Sequence, residues 1–505
     1  MDCVITIDIG TSALRIFAFE MSGTIIGSLK ASIPTFHTQP DYSEQDPEQI
    51  FVTLLNLLKN LLAEKIHPRK YNIAAICFSA AMHSMLPIDI HGIPLGNAMV
   101  WSDNRAKKQS EELKKMSFAA KIYHATGTPI HPMSPLVKIS WLRIHDQERF
   151  KQTYKFVSIK EYILQQLTGE YLIDHSIASA TGLFNIHTLQ WDADALAFSG
   201  ITPERLSFPV PVYYSQLAIK KEYRTTLGLA PKTKIIIGAS DGCLATLGAG
   251  AWGEGKATIT IDSSGAVRIA DKKVLHDEKQ RFFNYLLAEG YYVSGGPTNN
   301  GGVVFEWFAR QFGMFNDAID FEESLTELFH EASQVGAGAE GLLFLPYLLG
   351  ERAPIWNANA RGMYFGININ HQQKHFVRAT VEGILYEIYS IGKILEEHRT
   401  IDSLYINGSF ASEPLWSQII ADMFDKPVNV NDNHDSIGIG AFLLSLTEMG
   451  IYGNLEEAVR TISFPHLFLP NTNDHKTYIK YFNVFEKLSG KLADEFEQIA
   501  LLQQL

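Results

Sequence analysis

The sequence predicts an α/β protein made of two related halves, and three observations carry that prediction. Ile5-Thr6-Ile7-Asp8 recurs letter for letter as Ile259-Thr260-Ile261-Asp262. Each copy passes through a small-residue turn, Gly10-Thr11-Ser12 or Ser263-Ser264-Gly265, into a second β-rich run, which is a hairpin signature. Short apolar runs end in small or polar clusters, as buried strands feeding site loops do in open α/β sheets. Amphipathic helical patterns separate these runs.

Taken in order, Asp46-Pro47-Glu48 follows the first hairpin as a helix start, with a cap, a first-position Pro and an early acid. Ile50, Phe51, Leu54, Leu55, Leu58, Leu61 and Leu62 then mark one helix face. Residues 73–79 form a buried strand ending in Ala80-Ala81-Met82-His83-Ser84, and residues 98–101 another ending in Ser102-Asp103-Asn104-Arg105. Such polar strand ends suit a substrate pocket. Taken singly, His83 also reads as a satisfied core histidine and Arg105 as a surface ion pair. Residues 107–231 are mostly helical in pattern, with Lys160-Glu161-Tyr162 opening a helix that ends near Thr168-Gly169.

Residues 235–242 form a strand and tight turn that leave Asp241 at the strand's carboxyl end. There it is either a helix cap or a catalytic carboxylate. Flanked by two hairpins whose turns can cradle an anion in backbone N–H groups, it points to a phosphate held by both halves. A Gly/Ala-rich passage at 248–255 sets the domains at 1–248 and 249–505. Residues 295–302 read as a loop running into a helix at 303–308 with free N–H groups at its start. Residues 342–350 read as a strand before Glu351-Arg352-Ala353-Pro354, and 403–407 as one before the loop Gly408-Ser409-Phe410-Ala411-Ser412. Gly438 and Gly440 form a helix face suited to close packing.

With 505 residues, 46% hydrophobic and 19% charged, the chain has the composition of a soluble globular protein of two large or three smaller domains. No apolar run spans a bilayer, and no secretory signal opens the chain. Cys3, Cys77 and Cys243 are too few and too scattered for a disulfide framework or metal site. These features predict a cytoplasmic protein. A net charge of −12, from 43 basic and 55 acidic residues, argues against nucleic acid as a partner.

Together these residues resemble the FGGY family of carbohydrate kinases. The likeness runs from Asp8-Ile9-Gly10-Thr11-Ser12 through residues 79–84, 101–105, 127–135, 177–182 and 348–357 to beyond Gly440. It implies a duplicated actin-like ATPase (ribonuclease H-like) fold, two domains with a cleft that closes over the substrates. It also implies ATP and Mg²⁺ as cofactors and a small sugar or sugar acid as substrate. Within the family the likeness is greatest to members that phosphorylate gluconate; xylulose kinases share Met82-His83. By resemblance, Asp241 is the base that receives the sugar hydroxyl's proton, and Asp8 holds Mg²⁺. Met82, His83, Trp101, Asp103 and Arg105 bind the sugar, with Arg105 and His83 facing its carboxylate. Gly10, Thr11, Ser12 and Arg15 form the first phosphate loop and Ser263, Ser264 and Gly265 the second. Gly302, Glu306, Gly408 and Ser409 fall where the family binds the nucleoside. The expected partners end there, with no membrane, no nucleic acid and at most a second copy of the chain in a homodimer.

Three positions depart from the family pattern, of which Ser263 in place of threonine is mild because the hydroxyl is kept. Asp262 and Ser409 stand where glycines are usual, so nucleotide binding should be weakened unless Asp262 turns aside or helps hold a metal ion. A sugar sensor without kinase activity and an actin-like ATPase without a sugar substrate are the competing readings.

Overall fold

In the computed structural model, residues 1–67, 71–312, 321–410, 413–431 and 435–503 are described. Ala411 and Ser412, read above as part of a loop, lie outside them. The chain forms two units. One comprises Met1–Gly248, Asp271–Val293 and Asp435–Thr461, the other Ala249–Ala270, Ser294–His434 and Ile462–Leu505.

The first unit is built on β1 (Asp2–Ile9), β2 (Ala13–Glu20), β3 (Ile25–Ser32), β4 (Asn72–Ala80) and β5 (Lys234–Ser240), in the order β5-β4-β1-β2-β3. β1–β3 are antiparallel neighbours, whereas β4 and β5 run parallel to β1. β1 is covered on both faces, so that every residue after Asp2 is buried, including Thr6 and Asp8. Cys3, Ile5, Ile7 and Ile9 join a core with Ile50, Leu54, Leu58 and Leu61 of the helix Pro47–Leu61. That helix starts as expected, with the Asp46 carboxylate accepting from the N–H groups of Glu48 and Gln49.

Thr6 and Asp8 point to the other face, since side chains alternate along a strand. The helices Asp241–Gly248 and Ser436–Glu448 pack there with their backbones touching. A Cβ on Gly440 would lie 2.0 Å from Leu244 O, and one on Gly248 would lie 1.8 Å from Ser436 O. The expected small-residue helix face is therefore real.

The second unit carries β6 (Gly255–Ile261), β7 (Gly265–Asp271), β8 (Tyr291–Thr298), β9 (Ile401–Asn407), β10 (Val428–Val430) and β11 (His466–Phe468), in the order β8-β7-β6-β9-β10-β11. β6 pairs antiparallel with β7 and parallel with β9, and β10 continues parallel beyond β9. The first five strands repeat the order of the first unit, so the predicted duplication is a property of the fold.

Several local expectations are corrected. Residues 295–298 are the end of strand β8 rather than a loop. Their glycines permit close approach: a Cβ on Gly295 would lie 2.2 Å from Val267 O. Only Leu343–Leu345 of residues 342–350 is a strand. The region 107–231 includes short strands at Lys155–Val157, Leu172–Asp174 and Phe208–Val210 among its helices. All three cysteines are buried thiols. No described helix is long and apolar enough to cross a membrane.

Candidate active site

In the first unit, the carboxyl ends of β1, β4 and β5 bring together a group of acids. Asp8 is 2% exposed. Its Oδ1 accepts from Ser79 Oγ at 3.1 Å, while Oδ2 is buried without a hydrogen-bond partner, 3.6 Å from Arg15 Nη1. Burial and then the nearby Asp241 carboxylate push Asp8 up to about 7, with Asp435 adding to the effect and Arg15 opposing it. Asp241 follows β5 directly and opens the helix Asp241–Gly248, where its Oδ1 accepts from Gly242 N at 2.6 Å. It is the first residue of that helix and lies within electrostatic reach of Asp8. A buried carboxylate oxygen that accepts no hydrogen bond, close to two further carboxylates and only loosely paired with Arg15, fits a hard divalent cation with oxygen ligands.

The turn Gly10–Ser12 touches the pocket beside it. Thr11 Oγ1 accepts from Trp101 Nε1 at 2.9 Å, and Thr11 O accepts from Gln45 Nε2. A small pocket is lined by Gly10, Thr11, Met82, Val100 and Trp101. His83 is buried with a left-handed backbone, φ 68°. Its Nδ1–H donates to Ala180 O at 2.7 Å, which leaves Nε2 to accept from the Tyr285 hydroxyl at 3.3 Å. Arg105 is turned inward. Its guanidinium makes a forked contact with Asp103, reaches Glu44 at 2.6 Å and lies 3.5 Å over the Tyr42 ring. Asp103 is fully buried and also accepts from Ser43 N.

In the second unit, the turn after β6 is tied to its neighbours by main-chain bonds. Gly302 N donates to Asp262 O at 2.7 Å and Val303 N to Ser263 O at 3.1 Å. These two N–H groups at the start of the helix Gly302–Phe312 are therefore engaged, contrary to the expectation of free donors. The exposed Asp262 accepts through Oδ1 from Ser409 N at 2.8 Å. Gly408 sits at φ 101°, where a Cβ would lie 2.3 Å from Ile261 O, so only glycine fits. Ser264 and Gly265 complete the turn, and Glu306 is half-buried one helical turn after Gly302.

Residues 3–248 match the N-terminal domain of the FGGY family of carbohydrate kinases, and residues 257–449 match its C-terminal domain. The chain belongs to this family. The kinase is 36% identical to a gluconokinase of Bacillus subtilis strain 168 over 99% of its own length and 98% of the relative's. A ligand-bound xylulose kinase from Lactobacillus acidophilus superposes with a TM-score of 0.92 at 33% identity, covering 99% of this chain and 100% of that one. A gluconate kinase from the same organism gives 0.91 at 32%, with the same coverage. The kinase thus has the two-domain, actin-like architecture of the family's sugar kinases.

Several residues of the kinase's first unit escaped sequence reading. Asp435 joins the acids from the start of the helix Ser436–Glu448, and an Asp-Ser start before two glycines was a usable cap signal. Glu44, Gln45 and Tyr42 lie in a turn-rich stretch with no periodicity to mark them. Lys138 stands alone in the apolar run of the helix Pro135–His145 and is fully buried.

Proposed function

We propose that this kinase transfers the terminal phosphoryl group of ATP, with Mg²⁺, to the terminal hydroxyl of D-gluconate, forming 6-phosphogluconate. The observation that carries the chemistry is the buried Asp8 oxygen that accepts no hydrogen bond, beside Asp241 and next to a pocket that joins Thr11 to Trp101. Asp241 orients the attacking hydroxyl and accepts its proton as the new bond forms. Asp8 holds the metal ion, which when bound neutralises charge on the phosphates. Gly10, Thr11, Ser12 and Arg15 cradle the terminal phosphates, and Ser263, Ser264 and Gly265 form the second cradle. Gly302, Glu306, Gly408 and Ser409 border the nucleoside.

Met82, His83 and Trp101 line the sugar side. Asp103 and Arg105 act through the loop they brace. Because the Arg105 guanidinium is engaged by Asp103 and Glu44, direct contact with the substrate carboxylate is not part of this reading. Full-length likeness to gluconokinases supports gluconate. Xylulose is the second reading, favoured by the Met82-His83 pair and the xylulose kinase neighbour. Sugar-dependent ADP release, measured with gluconate, xylulose, glycerol and related polyols, tests both. Faster turnover of xylulose would reverse their order, and ATP hydrolysis indifferent to any sugar would sink the kinase assignment of the pocket.

A further inference from the structure

We propose that Lys138 is a positioning residue for the sugar: its Nζ clamps the two loops that carry His83 and Trp101. The proposal rests on the sugar-side reading given above.

Lys138 lies on the helix Pro135–His145 and is 0% exposed. Its Nζ donates to His83 O at 2.8 Å and to Val100 O at 2.7 Å. One carbonyl belongs to His83 itself and the other to the residue before Trp101. A lysine is seldom buried so fully without a carboxylate partner, and the Nζ bonds identified here go to main-chain oxygens. The loops already touch through reciprocal main-chain bonds between Met85 and Met99, each 2.9 Å. Those bonds fix the spacing of the strands but not the direction in which the loops leave them.

The direction needs fixing because His83 is left-handed, φ 68°, a conformation that persists in a non-glycine residue only when its surroundings over-determine it. Ala180 O holds the ring and Lys138 holds the carbonyl. Burial pushes Lys138 down to about 7, with Asp103 opposing and Arg105 assisting. A neutral amine still carries two N–H groups, one for each carbonyl. A methionine of similar length would fill the space but leave His83 O without this donor and Val100 O with only Asp103 N, so the His83 loop would relax to seek another partner and the tie between the two loops would be lost. Trp101 would then shift against Thr11, and His83 against the sugar.

The test compares wild type with Lys138→Met and Lys138→Arg. Calorimetry gives the sugar Kd without nucleotide and the nucleotide Kd without sugar, and melting temperature reports folding. Lys138→Met should weaken sugar binding about 10- to 100-fold while leaving nucleotide Kd within about twofold, and Lys138→Arg should recover part of the loss. A folded Lys138→Met with unchanged sugar Kd overturns the proposal, as does equal weakening towards both ligands. If Lys138→Met does not fold, Lys138→Gln takes its place; failure of both to fold would make Lys138 a stability residue and end the proposal. Wild-type protein that binds none of the sugars overturns the kinase reading as well.

Discussion

The two hairpins share the letters Ile-Thr-Ile-Asp, yet their acids do different things. β1 and β2 last pair at Ile9 and Leu14, and β6 and β7 at Ile261 and Gly265. Counting back from these pairs, Asp8 corresponds to Thr260, Ile7 to Ile259 and Thr6 to Thr258. One side-chain observation supports this register. The hydroxyls of Thr6 and Thr258 are both buried without a hydrogen-bond partner. The arginines, by contrast, are not equivalent: Arg15 stands opposite Asp8, whereas Arg268 stands opposite Thr258 and reaches diagonally to Thr260 Oγ1 at 2.9 Å. The repeated letters are thus two residues out of structural step, and Asp262 occupies the place of Gly10.

A two-residue offset keeps every side chain on the same face, because a strand alternates with period two. Either offset satisfies burial, so the letters can recur while the chemistry does not. Only the first half places a carboxylate under its turn. The second half puts threonine there, and Asn431 directly follows β10 where Asp241 directly follows β5.

The comparison can be tested by giving one half the residue of the other. The largest effect is expected from Asp241→Asn, which copies Asn431. The amide still accepts from Gly242 N, so melting temperature should hardly move. Without a base, turnover should fall by about 10²–10⁴-fold. Near-parental turnover in a steady-state assay would rule Asp241 out as the base.

Next is Asp8→Thr, which copies Thr260, with Asp8→Asn as the isosteric control. Asp8 is raised to about 7 in the fold against 3.8 for the free side chain. The folded state therefore holds its proton more tightly than the unfolded chain. Stability is lost as pH rises from about 4 to 7, and the full penalty persists above that. Asp8→Asn should then be more stable than the ligand-free wild type at pH 8, by up to about 4 kcal/mol, with the two converging near pH 4. Both variants should lose Mg²⁺-dependent turnover. Parallel melting curves for wild type and Asp8→Asn across that range would mean the carboxylate is not buried as described.

Much of this was legible in the sequence for physical reasons. Buried strands and capped helices announce themselves through local patterns, as at Ile73–Ser79 and Asp46-Pro47-Glu48, and Met82 and Trp101 line one pocket while His83 lines another. What stayed hidden depends on partners distant in sequence. Arg105 could not be assigned to Glu44, nor Lys138 to His83 and Val100, without knowing which segments meet. The 295–298 segment misled because glycines allow both turns and close backbone contact. Only Val267 O, 28 residues upstream of Gly295, decides which.

The smallest effect belongs to Asp262→Gly, which copies Gly10. Two changes oppose each other. Removing the carboxylate takes a negative charge away from the proposed phosphate cradle and frees Ser409 N–H to donate elsewhere. It also removes the tie between the turn after β6 and the Gly408-Ser409 loop, which adds loop entropy that a bound nucleotide must overcome. Because Asp262 is exposed, water and salt screen its charge, and exposed charge pairs contribute only about 0–1 kcal/mol. The loop keeps its other anchors, Gly302 N to Asp262 O and Phe410 N to Ile261 O, since both use main-chain oxygens. The charge effect should therefore win narrowly, tightening nucleotide binding about two- to fivefold when Mg²⁺ is scarce. With Mg²⁺ in excess the phosphates are already neutralised and the difference should vanish. Titrating a nucleotide analogue at several Mg²⁺ concentrations separates the cases. Equal affinities throughout would show that Asp262 never senses the phosphates, and weaker binding throughout would make it a brace for the loop.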